Sequence, residues 1–372
     1  MNVPYSYLDR QFAHIDAYLE DIRKIVQSGD FTLGAAVEEF EEKFAAVAGL
    51  PYGIGVGSGT DALILPLRAV GVGPGDEVIT TANTFIASAE AIVMVGATPV
   101  FVDNNDEYTI DVTKIEAAIT PKTKALLPVH LSGNPADMPA VMKVAEKHGL
   151  AVVEDAAQAI LAAIDGQHVG SWGAAAGFSL HPLKNLNIWG DGGIILTKSK
   201  EMRDKLRLLR NHGMATREEI HLWGCNSRLD SVQAAVALRL LPQVHDITNQ
   251  RIAVARRYDA AFADLADVIT IPSRRAGVRQ VFHTYVMRAH DRDRLLEYLQ
   301  NEGIRAKVHY PIPLHLQMAA QPLGYKAGDF PLCEAHCASI LTLPVHQHLA
   351  TDEVDFVIDR VRRFYGRAQG VA

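Results

Sequence analysis

Cysteine is scarce: Cys225, Cys333 and Cys337 are the only three in 372 residues, too few for the disulfide framework of a small secreted domain. No apolar run approaches the ~20 residues that a membrane-spanning helix needs, which removes the membrane class. Residues 1–10 lack the basic start and apolar stretch of a secretory signal, so a cytoplasmic protein is expected. Positive charge is not in excess either. The formal net charge is −7 with both signs interspersed, which argues against a nucleic-acid partner but leaves room for a phosphorylated small molecule in a local pocket. No Gly-x-x-x-x-Gly-Lys-Ser/Thr run occurs, so a P-loop is excluded. Internal repeats and low-complexity tracts are absent as well.

What remains is the composition of a globular enzyme, 48% apolar and 21% charged. Apolar residues at helical spacing predict two N-terminal helices, Phe12 to Ile25 closed by Gly29 and Val37 to Val47 closed by Gly49. Strands at 52–56, 77–80, 98–102, 124–129, 151–154 and 193–197 then alternate with helices at 61–70, 85–95, 138–148 and 200–210. A further helix at 229–241 precedes Pro242. Beyond it a long helix at 247–265, a strand at 283–289 and helices at 292–302 and 351–364 carry fewer parallel-strand signals. The expectation is an α/β protein with a large domain, residues 1–244, built on a mostly parallel sheet between helices, and a smaller α+β domain, residues 245–372. In such sheets ligands bind beyond the carboxyl ends of the strands. Ser58, Phe85, Asp155 and Gln158 fall there.

Four features carry chemistry. Lys184 stands between an apolar run ending at Leu180 and a cluster of Gly190, Gly192 and Gly193, with Pro182 two residues ahead. Such punctuation suits an amine that must meet a carbonyl carbon at a fixed angle. Gly57-Ser58-Gly59-Thr60 before a helix is either an ordinary capped turn or a phosphate site. Gly55 and Gly57 also raise a nicotinamide-dependent oxidoreductase, although Thr60 stands where the dinucleotide fingerprint needs its third glycine. Asp155 ends an apolar strand, where its carboxylate needs a cationic partner or a helix to cap. Phe85 after Asn83-Thr84 is either core or a platform, and Ser179 is either a satisfied strand hydroxyl or a phosphate ligand. A turn lysine, a strand-end aspartate, an aromatic and a phosphate-type loop together are what pyridoxal 5'-phosphate requires. Cys333 and Cys337 read as a core face, because structural zinc wants four ligands. Arg203, Lys205, Arg207 and Arg210 read as a solvated helix face. Arg274, Arg275 and Arg279 could meet a diphosphate or be solvated charge.

The blocks Asp30-Phe31-Thr32-Leu33-Gly34, Ser58-Gly59-Thr60-Asp61-Ala62-Leu63, Gly75-Asp76-Glu77-Val78, Ala82-Asn83-Thr84-Phe85, Glu154-Asp155-Ala156-Ala157-Gln158, His181-Pro182-Leu183-Lys184, Asn226-Ser227-Arg228-Leu229-Asp230 and His309-Tyr310-Pro311 resemble the DegT/DnrJ/EryC1/StrS family of pyridoxal-phosphate sugar aminotransferases, of aspartate aminotransferase fold type I. The likeness runs over nearly the whole chain. It implies that Lys184 links to the cofactor and that Asp155 meets its pyridine nitrogen. Gln158 would meet the ring hydroxyl, Phe85 would stack on the ring, and Ser58, Gly59, Thr60 and Ser179 would hold the phosphate. It further implies that Asn226 reaches the neighbouring subunit's cofactor in a homodimer with shared active sites, and that His309 and Tyr310 lie toward the substrate. The reaction implied is transfer of an amino group from L-glutamate to a keto-sugar, nucleotide-linked or else a cyclitol or sugar phosphate. A cofactor-binding sensor without catalysis is a third possibility. The chain departs from the family pattern at Ser132-Gly133-Asn134, Ala159-Ile160-Leu161 and Asn185 to Trp189, which are expected to lie where the sugar is recognised.

Overall fold

Short runs of β-branched and small apolar residues form a seven-stranded sheet in the computed structural model, which describes residues 1–367. Across the sheet the order is Tyr52–Val56, Gly193–Thr197, Ala175–Ser179, Ala151–Asp155, Thr123–Leu126, Glu77–Thr81 and Thr98–Val102. Gly193–Thr197 is antiparallel to both neighbours and the remaining pairings are parallel. The carboxyl ends of six strands therefore share one edge. Successive side chains of a strand point to opposite faces, and the cores follow that alternation. Val78, Ala125 and Val153 pack with Leu63, Leu67 and Ile92, while Ile79, Leu126 and Val152 pack with Val141, Ala145 and Ile115. Both faces are covered by helices, as a parallel sheet requires. The expected α/β class and mostly parallel sheet are what the structure has.

Helix ends follow local chemistry. Gly29 closes Asp16–Ser28 at φ +70°, a left-handed conformation that glycine adopts without steric cost. The strand expected at 124–129 stops at Leu126, where Pro128 interrupts the pairing. The strand expected from His283 begins at Tyr285, because His283 and Thr284 instead bond Ser132, through backbone N to O at 3.1 Å and Oγ1 to Oγ at 2.7 Å. Helix Val112–Ala118 and strand Ile340–Leu343 were not foreseen.

A second, three-stranded antiparallel sheet joins Ile269–Thr270, Tyr285–Ala289 and Ile340–Leu343. Helices Arg292–Asn301 and Thr351–Phe364 pack on it around Tyr285, Leu295, Leu343 and Val357. Helix Val244–Phe262 runs between the cores: Val244 and Ile247 join the N-terminal helices, and Val254, Tyr258 and Phe262 join the second sheet. Val3 belongs to that second core too. Among the described residues no helix is long and apolar enough to cross a membrane.

The basic run on helix Lys200–Leu209 corrects an expectation in part: Lys205 and Arg207 are exposed, as a solvated face requires, but Arg210 is not. Arg210, just past the helix, is buried and donates to Glu41 and to the Gly55 carbonyl at 2.7 Å. Glu41 Oε1 also accepts from Gly55 N at 2.8 Å, and Lys205 donates to the Ala69 carbonyl at 2.7 Å. The Glu41 and Arg210 contacts to Gly55 pin the edge strand Tyr52–Val56, and the Lys205 bond ties its helix to Asp61–Ala69. Arg274 and Arg275 pair with Asp259 and Glu107, and Arg279 bonds Asn249. Cys333 and Cys337 face the core on helix Pro331–Ser339.

Glu154 is fully buried beside Asp155. Its carboxylate accepts from Gly170 N at 2.7 Å, Trp172 N at 2.9 Å, Gly173 N at 2.9 Å and the His130 ring at 3.1 Å. Burial alone would raise its pKa, but His130 and the Gly173 and Gly170 amides pull it below the ordinary value. An amide in its place offers one oxygen and introduces donors that face donors. Glu154→Gln is therefore expected to lose about 2–4 kcal/mol, read as a lowered midpoint in urea unfolding.

Candidate active site

A cavity of about 460 Å³ opens at the carboxyl edge of the sheet. Ser58, Gly59, Thr60, Phe85, Asp155, Gln158, Ser179, Lys184, His309 and Tyr310 all line it, so residues spread over 250 positions of sequence meet at one place. Asn226 does not line it. It lies exposed beyond the cavity, its backbone bridged to Asn211.

At one end, the loop Ser58-Gly59-Thr60 leads into helix Asp61–Ala69. Ser58 Oγ accepts from Asp61 N at 3.0 Å, so the capped-turn reading is correct in itself. The glycines do more than turn the chain. A Cβ on Gly59 would stand 2.7 Å from Ser179 Cβ, and one on Gly193 would stand 2.3 Å from the Ser58 carbonyl oxygen. Only glycines let this loop close against two strand ends, which leaves a cradle of backbone N–H groups and hydroxyls at a helix N-terminus.

At the other end, Lys184 follows a turn in which its N–H donates to the His181 carbonyl at 2.8 Å. Its own carbonyl accepts from Tyr7 Oη at 3.0 Å. Burial lowers the amine from 10.5 to about 8, opposed by the charge of Asp155. Asp155 is 6% exposed. Its Oδ2 accepts from Ser88 Oγ at 2.6 Å and its Oδ1 from Ala157 N at 3.1 Å. Ser88 in turn shares a 2.9 Å bond with Thr84. Gln158 Oε1 accepts from Ser132 N at 2.6 Å. Phe85 is 52% exposed, its ring centroid 5.9 Å from that of Tyr310.

Two histidines complete the wall. Burial, with Lys307 and Lys184 nearby, holds His309 down to about 4, and its Nδ1 lies 3.1 Å from Thr342 Oγ1. Burial next to Lys184 and Arg251 pushes His283 well below its ordinary value. Both rings are neutral at physiological pH. Burial raises Tyr310 to about 12, against the pull of a bond to Gln158.

The sequence reading missed Tyr5, Tyr7, Arg251, His283 and Lys307, which also line the cavity. The tyrosines arrive because Val3 pairs with Ile304, through Val3 N to Gly303 O at 2.9 Å and Arg305 N to Val3 O at 3.0 Å. No periodicity in residues 1–7 announces a contact 300 residues away. Arg251, at helical spacing with Val244, Ile247, Val254 and Tyr258 and so on the apolar face of its helix, was the one available signal.

The three departures from the family pattern also correct an expectation, because none of them lines the cavity. Asn185, Leu186, Asn187 and Ile188 are buried, and Trp189 packs its ring 5.6 Å from Phe12 and 5.5 Å from Tyr18. Ala159, Ile160 and Leu161 lie in the same core. Ser132 touches the site through its bonds to Gln158 and His283. The bulk after Lys184 fills space under the N-terminal helices.

A family model, the DegT/DnrJ/EryC1/StrS aminotransferase family, matches residues 14–362. The chain belongs to this family. It is 42% identical over 368 residues to a pleiotropic regulatory protein of Geobacillus stearothermophilus, covering 98% of this chain and 99% of that one. It is 42% identical to a UDP-N-acetyl-3-dehydro-alpha-D-glucosamine 3-aminotransferase of Acidithiobacillus ferrooxidans, covering 97% of each. DesV of S. venezuelae, solved in complex with a ketimine intermediate, superposes with a TM-score of 0.95 at 40% identity, over 99% of this chain and 100% of that one. The cofactor of this DegT/DnrJ/EryC1/StrS chain is pyridoxal 5'-phosphate, and the Gly59 cradle, the Lys184 amine and the Asp155 carboxylate fit its phosphate, aldehyde and pyridine nitrogen. Membership leaves the nicotinamide-dependent oxidoreductase without support.

Without cofactor, the folded amine of Lys184 titrates below its unfolded value, so the folded state binds fewer protons between about pH 8 and 10.5. The resulting penalty is fully present below pH 8 and disappears as pH rises through that window. Cofactor-free Lys184→Met is expected to be more stable than wild type at neutral pH by on the order of 2 kcal/mol, with the difference shrinking toward about pH 10. Urea unfolding at both pH values checks this.

Proposed function

We propose that this chain moves an amino group from L-glutamate onto the ketone of a sugar, a nucleotide-linked keto-deoxysugar in preference to a cyclitol or a sugar phosphate. The observation that carries the reading is Lys184, an amine lowered to about 8 on the wall of a cavity that also holds the Asp155 carboxylate and the Gly59 cradle. A neutral amine can take a proton from a carbon acid and return it, which makes Lys184 the proton carrier in both halves of the reaction. When bound, pyridoxal 5'-phosphate supplies the electron sink for the charge left on that carbon. Asp155, held by Ser88 and the Ala157 amide, presents a carboxylate to the pyridine nitrogen. Gln158 turns toward the ring hydroxyl, Phe85 offers its exposed face, and Ser58, Gly59, Thr60 and Ser179 take the phosphate. Neutral His309 and Tyr310 face the substrate. The names of relatives that act on UDP- or dTDP-linked amino sugars support a nucleotide-linked acceptor.

The same reading makes the protein a cytoplasmic homodimer. Exposed Asn226, outside its own cavity, serves the partner's cofactor. It also divides the chain near residue 245 into a cofactor-binding domain and a smaller C-terminal one.

Adding L-glutamate to the yellow holoenzyme should abolish its visible absorption in one turnover, and a keto-sugar should restore it. Absence of any change with every amino acid tested would favour the non-catalytic sensor. Lys184→Ala is expected to lose the absorption and at least ~10²–10⁴ in rate. If active sites are shared, co-expressing Lys184→Ala and Asn226→Ala chains should recover about a quarter of wild-type activity. Half the dimers are then mixed, each with one intact site. Activity no higher than either variant alone would leave Asn226 serving its own chain.

A further inference from the structure

Behind the cavity wall a run of side-chain hydrogen bonds ends on the turn that carries Lys184. Arg251 is 1% exposed, and its Nε donates to Gln347 Oε1 at 3.1 Å. Gln347 Nε2 donates to Gln11 Oε1 at 2.7 Å, and Gln11 Nε2 donates to Asn187 Oδ1. Asn187 Nδ2 then donates to the Pro182 carbonyl and, at 3.4 Å, to Tyr7 Oη. Tyr7 Oη donates in turn to the Lys184 carbonyl at 3.0 Å.

The ends of this run set its direction. A guanidinium offers donors only and a peptide carbonyl offers acceptors only. Each amide between them must therefore turn its oxygen toward Arg251 and its nitrogen toward the lysine turn. Asn187 and Tyr7 are buried, where a polar atom that loses its partner is costly. Leu186 and Ile188, on either side of Asn187, belong to the apolar core under the N-terminal helices. An amide stands at 187 for its bonds and not for its packing. Tyr7 is fixed through its ring as well, 5.1 Å from the His346 ring and 5.1 Å from the Arg251 guanidinium.

We propose that Tyr7 and Asn187 are positioning residues for transamination, which tie the Pro182 and Lys184 carbonyls to the N-terminal segment and so hold the Lys184 backbone while its amine carries the proton. The inference rests on the aminotransferase reading and deepens it at the same site. A lysine amine sits on a flexible four-carbon stem. Bonded to the cofactor, that stem is held at both ends; when the amine is free to move a proton, only the backbone restrains it. A displacement of about 1 Å at such a group can cost ~10²-fold in rate. The effect of Tyr7 and Asn187 therefore falls on the proton step, not on the binding of glutamate.

The test compares wild type with Tyr7→Phe, which removes one hydroxyl and keeps the ring, and with Gln11→Leu, which cuts the run at a half-buried side chain. Melting temperature reports folding. Positioning is read in cofactor-free protein as hydrogen–deuterium exchange of residues 181–189, with strand Gly193–Thr197 as the internal reference. Proton transfer is read from turnover of glutamate and of its α-deuterated form. Tyr7→Phe is expected to speed exchange in the turn at least ~10-fold with the strand unchanged. Its kcat should fall ~10-fold or more with KM for glutamate within ~2-fold of wild type, and its isotope ratio should rise because the proton step has become slower than the steps around it. Gln11→Leu should shift the same quantities in the same directions by less. A folded Tyr7→Phe with wild-type kcat and isotope ratio, a change confined to KM, or a fall in kcat that only tracks the unfolded fraction would overturn the proposal. Should Tyr7→Phe not fold, Gln11→Leu decides on the same criteria. A wild type that converts no glutamate, with the turn still loosened in Tyr7→Phe, would count against the aminotransferase reading; a turn that exchanges as in wild type would count against the positioning.

Discussion

Two adjacent acids at the end of one apolar strand, Glu154 and Asp155, carry the constraint on which the site depends. Neighbours on a strand point to opposite faces, so one carboxylate must go under the sheet edge and the other toward the cavity. The lower one is tolerable only because four donors meet it. Those donors are the His130 ring and the turn 170–173, and His130 also bonds the Asp155 carbonyl through its backbone N at 3.0 Å. Fixing Glu154 therefore fixes the direction of Asp155, the acid that faces the cavity.

The electrostatics of the cavity follow from what that edge excludes. Burial keeps His283 and His309 neutral and brings Lys184 to about 8, so the amine is available as a base near physiological pH rather than locked as an ammonium. Asp155 supplies the opposing charge and keeps the depression moderate. The wall thus brings the Asp155 carboxylate and the Lys184 amine together, with Asp191, Arg251 and Lys307 also lining it.

Chain ends close the structure. Val3 pairs with Ile304, Arg10 forms a 2.6 Å ion pair with Glu353, and Tyr7 reaches the Lys184 carbonyl. Through these contacts the C-terminal sheet, the lysine turn and the first residues share one wall. Arg251 holds the same region from behind by bonding three carbonyls that have no strand partner.

The sequence by itself determined the strand and helix alternation, the parallel sheet, and the residues at its carboxyl edge. Those are local matters of periodicity, glycine placement and motif, written within a few residues of each other. It also carried Lys184, Asp155 and the Ser58 loop, since each is marked by its own neighbours. Only the tertiary structure decided which bulky residues face the ligand: Trp189 turns to Phe12 and Tyr18, and Arg210 turns to Glu41, although both read as accessible. Tyr5 and Tyr7 reach the cavity through the pairing of Val3 with Ile304, some 300 residues apart, and a contact of that span leaves no periodic trace in either segment because it depends on packing rather than on local propensity.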